Sequence, residues 1–440
     1  RRVYHVQTAR WLEAHSGERL SEYTAAIARH YQQGGENELA ARWWQRAGQS
    51  AYRSSGFSVA QAAFEQALAL LPAEAVQPRL DLLISLGGCL ERQGSYPEAR
   101  QRLTEALETA RQTGDVRAQA GALNGLNLVA TRQGSFDDAR LLGEEALTLA
   151  RQSGDAETIA LALQRLGGVY YYQGTYPRAV ELFEAALNTF QQLGNPTGEA
   201  NCLVNLGSTA SIQGDHDRAI QSYNRALAIN RQIGERWGVS TCLSNLGTLH
   251  SYLGKYEAAR RYFEEGLEIR AEIGDRWGYA ACLANLGWTA MLQQEYDQAV
   301  QYGVQSLEIY RALGDRRNIA NSLCNLAHAD AQRGEHALAR RAYLEALQLG
   351  WEIGALPRVL EALAGLAGLR LAAGELIPSA ELLGLTTTHP ATSSDVTSVA
   401  EPLLARLRSA LPAADLEAAL ARGSALSLEA TVRAALQETP

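Results

Sequence analysis

From residue 78 to 385 the chain alternates stretches of about sixteen residues, apolar at every third or fourth place, with short polar breaks rich in glycine. In YEAARRYFEEGLEIRAEIG (256–274), Ala259, Phe263, Leu267 and Ile269 recur near helical spacing with charges between them, the mark of an amphipathic helix. Pro97 and Pro177 stand at first helical positions, where a missing N–H costs little. Asp155, Asp275 and Asp315 each follow a glycine and precede the next helix, which predicts N-caps. The two-residue alternation of a half-buried strand is absent. The pattern predicts an all-α chain of helical hairpins.

The hairpins repeat every forty residues. Gly94, Gly134, Gly174, Gly214, Gly254 and Gly334 mark the turn inside each unit, Gln294 fills the skipped place, and Gly374 extends the series. TGD (113–115), SGD (153–155), IGE (233–235), IGD (273–275) and LGD (313–315) mark the loop between units. Gly167, Gly207, Gly247 and Gly287 lie inside first helices, and Ala139, Ala179, Ala219, Ala259, Ala299 and Ala339 lie early in second helices. A glycine inside a helix costs about 1 kcal/mol against alanine, so a recurring one implies close approach of a partner helix. The order Leu166–Gly167–Tyr170–Ala179–Phe183–Ala186, and likewise Leu246–Gly247–His250–Ala259–Phe263–Gly266, resembles the tetratricopeptide repeat. Departures are Asn127 in a glycine place, and Gly266 and Ser306 in alanine places. The resemblance implies a right-handed α-solenoid with first helices on the concave wall and second helices on the convex one.

Asn205, Asn245, Asn285 and Asn325 each precede the packing residue of a first helix, in CLVNLG, CLSNLG, CLANLG and SLCNLA. This turns their amides toward the concave side. Asn201, Thr241 and Asn321 lie one turn earlier on that face, Trp237, Trp277 and Arg317 two turns earlier, and Trp288 one turn later. Amides offer donors and an acceptor, and indoles offer flat apolar platforms, so the eleven residues form a candidate ligand-binding wall. By the resemblance, such an asparagine contacts bound peptide. Two structural alternatives stand beside this: asparagines bonded to the next repeat, and tryptophans packing loops between hairpins. Arg236, Arg276 and Arg316 lie beside the indoles and read either as anion contacts or as solvated loop residues.

The ends carry a second resemblance. Ala28, His30, Tyr31, Gly34, Ala40, Ala41, Trp44 and Ala47 near the start, and GSALSLEA (423–430) near the end, are similar to the superhelical region of bacterial signal-transduction ATPases with numerous domains, the STAND class. That implies an opening helical segment over 1–56, a superhelix over 57–385, and a connector with a C-terminal helical cap over 386–440. It also implies a sensor whose concave groove binds an inducer, small molecule or protein, to control activation and oligomerisation of a longer chain holding the ATPase. The alternative is a scaffold that binds an extended peptide or partner helix in the same groove.

Composition narrows the rest. The 440 residues are 46% hydrophobic and 20% charged, with net charge −8. No long basic run is present, which disfavours nucleic acid as a partner, and no apolar stretch is long enough for a membrane span. Five widely separated cysteines give neither a metal motif nor a disulfide framework and suit a reducing cytoplasm. The chain starts without methionine, and a piece of a longer protein is expected. GxxxxGK[ST], HExxH and GxSxG are absent, so no enzyme, metal or cofactor is expected in this segment.

Overall fold

The computed structural model describes residues 1–54 and 56–437, without the side chains of Glu18 and Ser394. Residue 55 of the opening segment and residues 438–440 of the expected cap lie outside the described residues. The described chain is all helix and turn, with no strand. The chain opens with α1 (Arg2–His15), α2 (Leu20–Gly34), α3 (Asn37–Arg53) and α4 (Phe57–Leu70). Hairpins then follow at a forty-residue interval: α5 (Val76–Arg92) with α6 (Tyr96–Thr113), α7 (Val116–Arg132) with α8 (Phe136–Ser153), α9 (Ala156–Tyr172) with α10 (Tyr176–Gln192), and α11 (Pro196–Ile212) with α12 (His216–Ile233). α13 (Arg236–Tyr252) and α14 (Tyr256–Glu272) keep the interval, as do α15 (Arg276–Leu292), α16 (Tyr296–Leu313), α17 (Arg316–Gln332), α18 (His336–Glu352), α19 (Leu356–Ala372) and α20 (Leu376–Thr388). α21 (Ser394–Ala410), α22 (Ala413–Ser424) and α23 (Leu428–Gln437) close the chain.

Local chemistry explains the breaks. Asp155, Asp275 and Asp315 cap their helices by accepting from the backbone N–H of Thr158, Gly278 and Asn318 at 2.9–3.0 Å, as their spacing predicted. Inside the hairpins the chain turns through a left-handed residue: Gly94 has φ 79° and Gly214 φ 81°. The Ser95 N–H then reaches back to Leu90 O at 2.9 Å, closing the helix end.

The small residues sit where helices touch. A Cβ at Gly167 would lie 2.8 Å from the Phe183 ring, and one at Gly207 2.8 Å from Tyr223. The hairpin with Asn127 reverses this arrangement. Gly143 stands where the hairpins before and after carry Leu103 and Phe183, and Asn127 Nδ2 fills the space, donating to Ala139 O at 2.6 Å.

The chain forms two compact units: residues 1–249 with 272–274, and residues 250–271 with 275 onward. In the first, the opening segment has its own core of Ala9, Ile27, Ala28, Tyr31, Ala40 and Trp43; deeper cores follow between successive hairpins. In the second, Leu360, Ala364 and Leu383 share one core with Val396, Ala400, Leu407, Leu416 and Ala419, so packing continues across residue 385. Between α20 and α21 the non-helical stretch is residues 389–393. Thr387 and Thr388 bond their hydroxyls back to Leu383 O and Gly384 O at 2.7 Å, which lets α20 run on to Thr388.

Candidate functional site: the inner walls

In the first unit α5, α7, α9 and α11 pack on one another in succession, while α6, α8, α10 and α12 are held apart. The first helices therefore line the inside of the curve. In the second unit α15, α17 and α19 relate to α16, α18 and α20 in the same way.

Asn205 and Asn245 on the first wall, and Asn285 and Asn325 on the second, are each half-buried. Among the described residues none of these four amides makes a side-chain hydrogen bond. Other expected residues are already engaged. Thr241 donates its hydroxyl to Trp237 O at 3.0 Å. Trp277, 50% exposed, donates its indole N–H to Asp315 Oδ2 at 2.9 Å and sets its ring edgewise to Tyr310. Asn321 Nδ2 reaches Asn318 Oδ1 at 3.4 Å, leaving its own buried Oδ1 unpaired. Asn201 and Arg317 are exposed, and Trp288 is half-buried. Beside the indoles, Arg236 pairs with Glu272 and Arg316 with Glu352.

Trp237 is half-buried, and the Arg92 guanidinium lies 4.6 Å from its ring centroid. Arg92 ends α5 and Trp237 opens α13, so the first unit's inner wall curls until helices four repeats apart meet. Glu91, 5% exposed, accepts from Arg132 Nε at 2.9 Å and lies 3.8 Å from Arg92 Nε. Arg165 projects from α9 into the same region, within electrostatic reach of Arg92, Glu91, Tyr52 and Arg132. Water still reaches Arg165, but its depth in the curl, with Arg92 and Arg132 adding to it, pushes its pKa down against the pull of Glu91 and Tyr52. Although burial opposes it, the Glu91 charge and hydrogen bond hold Arg132 above its ordinary value. Burial also raises Glu235, against bonds from the backbone of Gly238 and Trp237 and the charge of Arg92.

This arginine cluster is absent from the sequence-based site. A signal was present: Arg165 stands forty residues before Asn205, and Arg92 forty before Arg132. The second unit adds a cleft of about 770 Å³ between α18, α19, α20 and α23, walled by Leu344, Leu366, Leu369, Leu382 and Ala435 with Arg340 at its edge. Among the described residues no three His, Cys, Asp or Glu side chains converge to hold a metal, and no helix is long and apolar enough to cross a membrane.

The tetratricopeptide repeat profile matches residues 79–152, 158–232, 213–272, 239–312 and 279–350, together more than half of the chain. The chain belongs to the tetratricopeptide-repeat family. No curated protein matches it by sequence. Among solved structures, this repeat protein is similar to a signal transduction ATPase with numerous domains (STAND) from Pyrococcus horikoshii that carries a tetratricopeptide repeat sensor, at 14% identity and TM-score 0.56. That match covers 80% of this chain and 54% of the other, so the repeat protein spans about half the ATPase's length. A Rap protein complexed with competence and sporulation factor matches at 14% identity and TM-score 0.54, over 71% of this chain and 86% of the other. At these identities the likeness is one of fold.

Proposed function

We propose that this repeat protein is the ligand-sensing part of a STAND-type regulator, binding an inducer on the inner faces of its first helices. The observation that carries the reading is the asparagine ladder. Asn205, Asn245, Asn285 and Asn325 hold half-buried amides at one helical position, with donors and acceptors the protein leaves unused. A residue placed for packing or inter-repeat bonding would have spent them. Fold similarity to a STAND protein with such a sensor supports the reading, as do the opening motif residues Tyr31, Ala40 and Ala41, all buried in their hairpins.

An inducer switches such a protein only if it binds the active arrangement better than the resting one. The segment itself needs no catalytic group, cofactor or metal for that role. ATP turnover would reside in another part of a cytoplasmic full-length chain, and the other domains of that chain are partners by the same reading. A second reading, a scaffold for an extended peptide, rests on the same ladder; the Rap protein, whose solved structure is a complex with competence and sporulation factor, favours it.

The test is a thermal-shift assay of this chain against extract of its source cells, separated by ultrafiltration into small-molecule and protein fractions. A ligand at about a hundred times its dissociation constant adds about 2.7 kcal/mol, a visible rise in Tm. Stabilisation by the small fraction, abolished by Asn205→Ala or Asn245→Ala, is the expected result. Stabilisation by the protein fraction alone replaces it with the scaffold, and stabilisation untouched by either variant removes the ladder from both readings.

A further inference from the structure

We propose that the inner wall of the first unit holds an anion-binding site in which Arg165, flanked by Arg92 and Arg132, takes the carboxylate or phosphate group of a ligand. The site goes beyond the sensing role argued above, since its charged groups, Arg165, Arg92 and Arg132, are none of the ladder's side chains and the site stands or falls without the asparagines.

Charge is the first argument. Three guanidinium groups share one closely paired carboxylate: Glu91 bonds Arg132 at 2.9 Å and approaches Arg92 at 3.8 Å. Glu235, the other acid nearby, is engaged by the backbone N–H groups of Trp237 and Gly238. Arg165 makes no hydrogen bond and no ion pair among the described residues. Other covered arginines are paired with acids: Arg270 bonds Asp275 at 2.7 Å, Arg260 bonds Glu295 at 2.7 Å, and Arg358 pairs with Glu361 and Asp395. A guanidinium with five fixed donors beside two like charges is costly unless an anion completes it.

Space is the second. One turn beyond Arg165, a Cβ at Gly168 would meet nothing within 4 Å, and one at Gly88 would meet only the Tyr52 hydroxyl, at 3.8 Å. Bare backbone on α5 and α9 thus leaves room beside the guanidinium. The Trp237 ring, held by Arg92 at 4.6 Å, supplies an apolar wall for the remainder of the ligand. Arg165 can form two parallel N–H···O bonds to either a carboxylate or a phosphate, and the chain's net charge of −8 makes this positive spot a local exception.

The experiment titrates the purified chain with sodium phosphate and, separately, sodium succinate, against sodium chloride at matched ionic strength. Melting temperature and calorimetry are the readouts. At least one anion is expected to raise Tm saturably above the chloride control; phosphate alone assigns a phosphoryl ligand, and succinate a carboxylate. Arg165→Gln is expected to weaken that binding at least about tenfold, whereas Arg408→Gln, an exposed change on α21, leaves it intact. The unliganded Arg165→Gln chain is expected to melt no lower than the parent, because a like-charge repulsion has gone. Equal effects of all three salts, binding retained by Arg165→Gln, or a lower unliganded Tm for that variant would each overturn the site.

Discussion

Gln294 carries the only left-handed backbone among the described non-glycine residues, φ 62°, at the turn where Gly254 has φ 71° and Gly334 φ 81°. An L side chain pays about 1 kcal/mol or more for that conformation, and the exposed Gln294 side chain makes no hydrogen bond to offset it. Gln294→Gly should therefore stabilise the protein by about 1 kcal/mol, read as a higher Tm in thermal denaturation; a lower Tm would mean that the glutamine side chain does structural duty. The cysteines give a second test at this scale. All five are buried and outside any disulfide, and burial pushes the Cys89 and Cys202 thiols up to about 12 and Cys242 to about 11. A thiol reagent at pH 8 should leave them unmodified until denaturant is added, since the thiolate is the nucleophile; rapid native-state labelling would refute this. Asn127 shows where single positions were hard to read. The sequence marked it as a departure, but its compensation lies sixteen residues away at Gly143, in the opposing helix, and only their contact makes sense of both.

Helix boundaries were legible because their causes are local: an aspartate cap, a left-handed glycine, a proline in the first turn. What a cap does beyond its own helix was not. Asp315 Oδ1 caps α17 through Asn318 N at 3.0 Å, while Oδ2 accepts from Asn318 Nδ2 at 2.7 Å and from the Trp277 indole at 2.9 Å. This cap therefore ties one first helix to the next. Asp315→Ala should cost about 1–2 kcal/mol, more than Trp277→Phe, which loses one bond and keeps the ring; denaturant unfolding of the two variants ranks them, and the reverse order would contradict the tie. The opening helices carry a pH dependence of their own. His30 Nδ1 lies 3.0 Å from His5 Nδ1, and burial, then the charges of His5 and Arg29, lowers its pKa from the ordinary 6.5. The unfolded chain thus binds the proton more readily, so stability is full above about pH 6.5 and falls as pH drops through the folded value. Protection factors of the α1 and α2 amides, with the intrinsic pH dependence of exchange divided out, should fall between pH 7 and pH 5, and His30→Gln should flatten that change; an unaltered slope would exclude His30 as its source.

The forty-residue order of the hairpins could be read from the chain, but the meeting of Arg92 with Trp237 could not. That contact is the sum of small rotations from one hairpin to the next across α5 to α13, and no local motif encodes it. The asparagine ladder was legible for the opposite reason, since every rung sits in its own copy of one local pattern. The same architecture sets how damage spreads. Phe183 is 2% exposed and fills the close approach to Gly167, so Phe183→Ala should remove about 3–5 kcal/mol from its hairpin. In a solenoid, stability is held by each repeat and its nearest neighbours rather than by one central core. Hydrogen exchange in this variant should therefore rise over α9, α10 and α11. It should stay at the parent level over α19 to α22, whose core of Leu360, Leu383, Leu407 and Leu416 shares no residue with that hairpin. Uniform loss of protection along the chain would mean that the repeats unfold as one cooperative body, and the nearest-neighbour description would then fail for this protein.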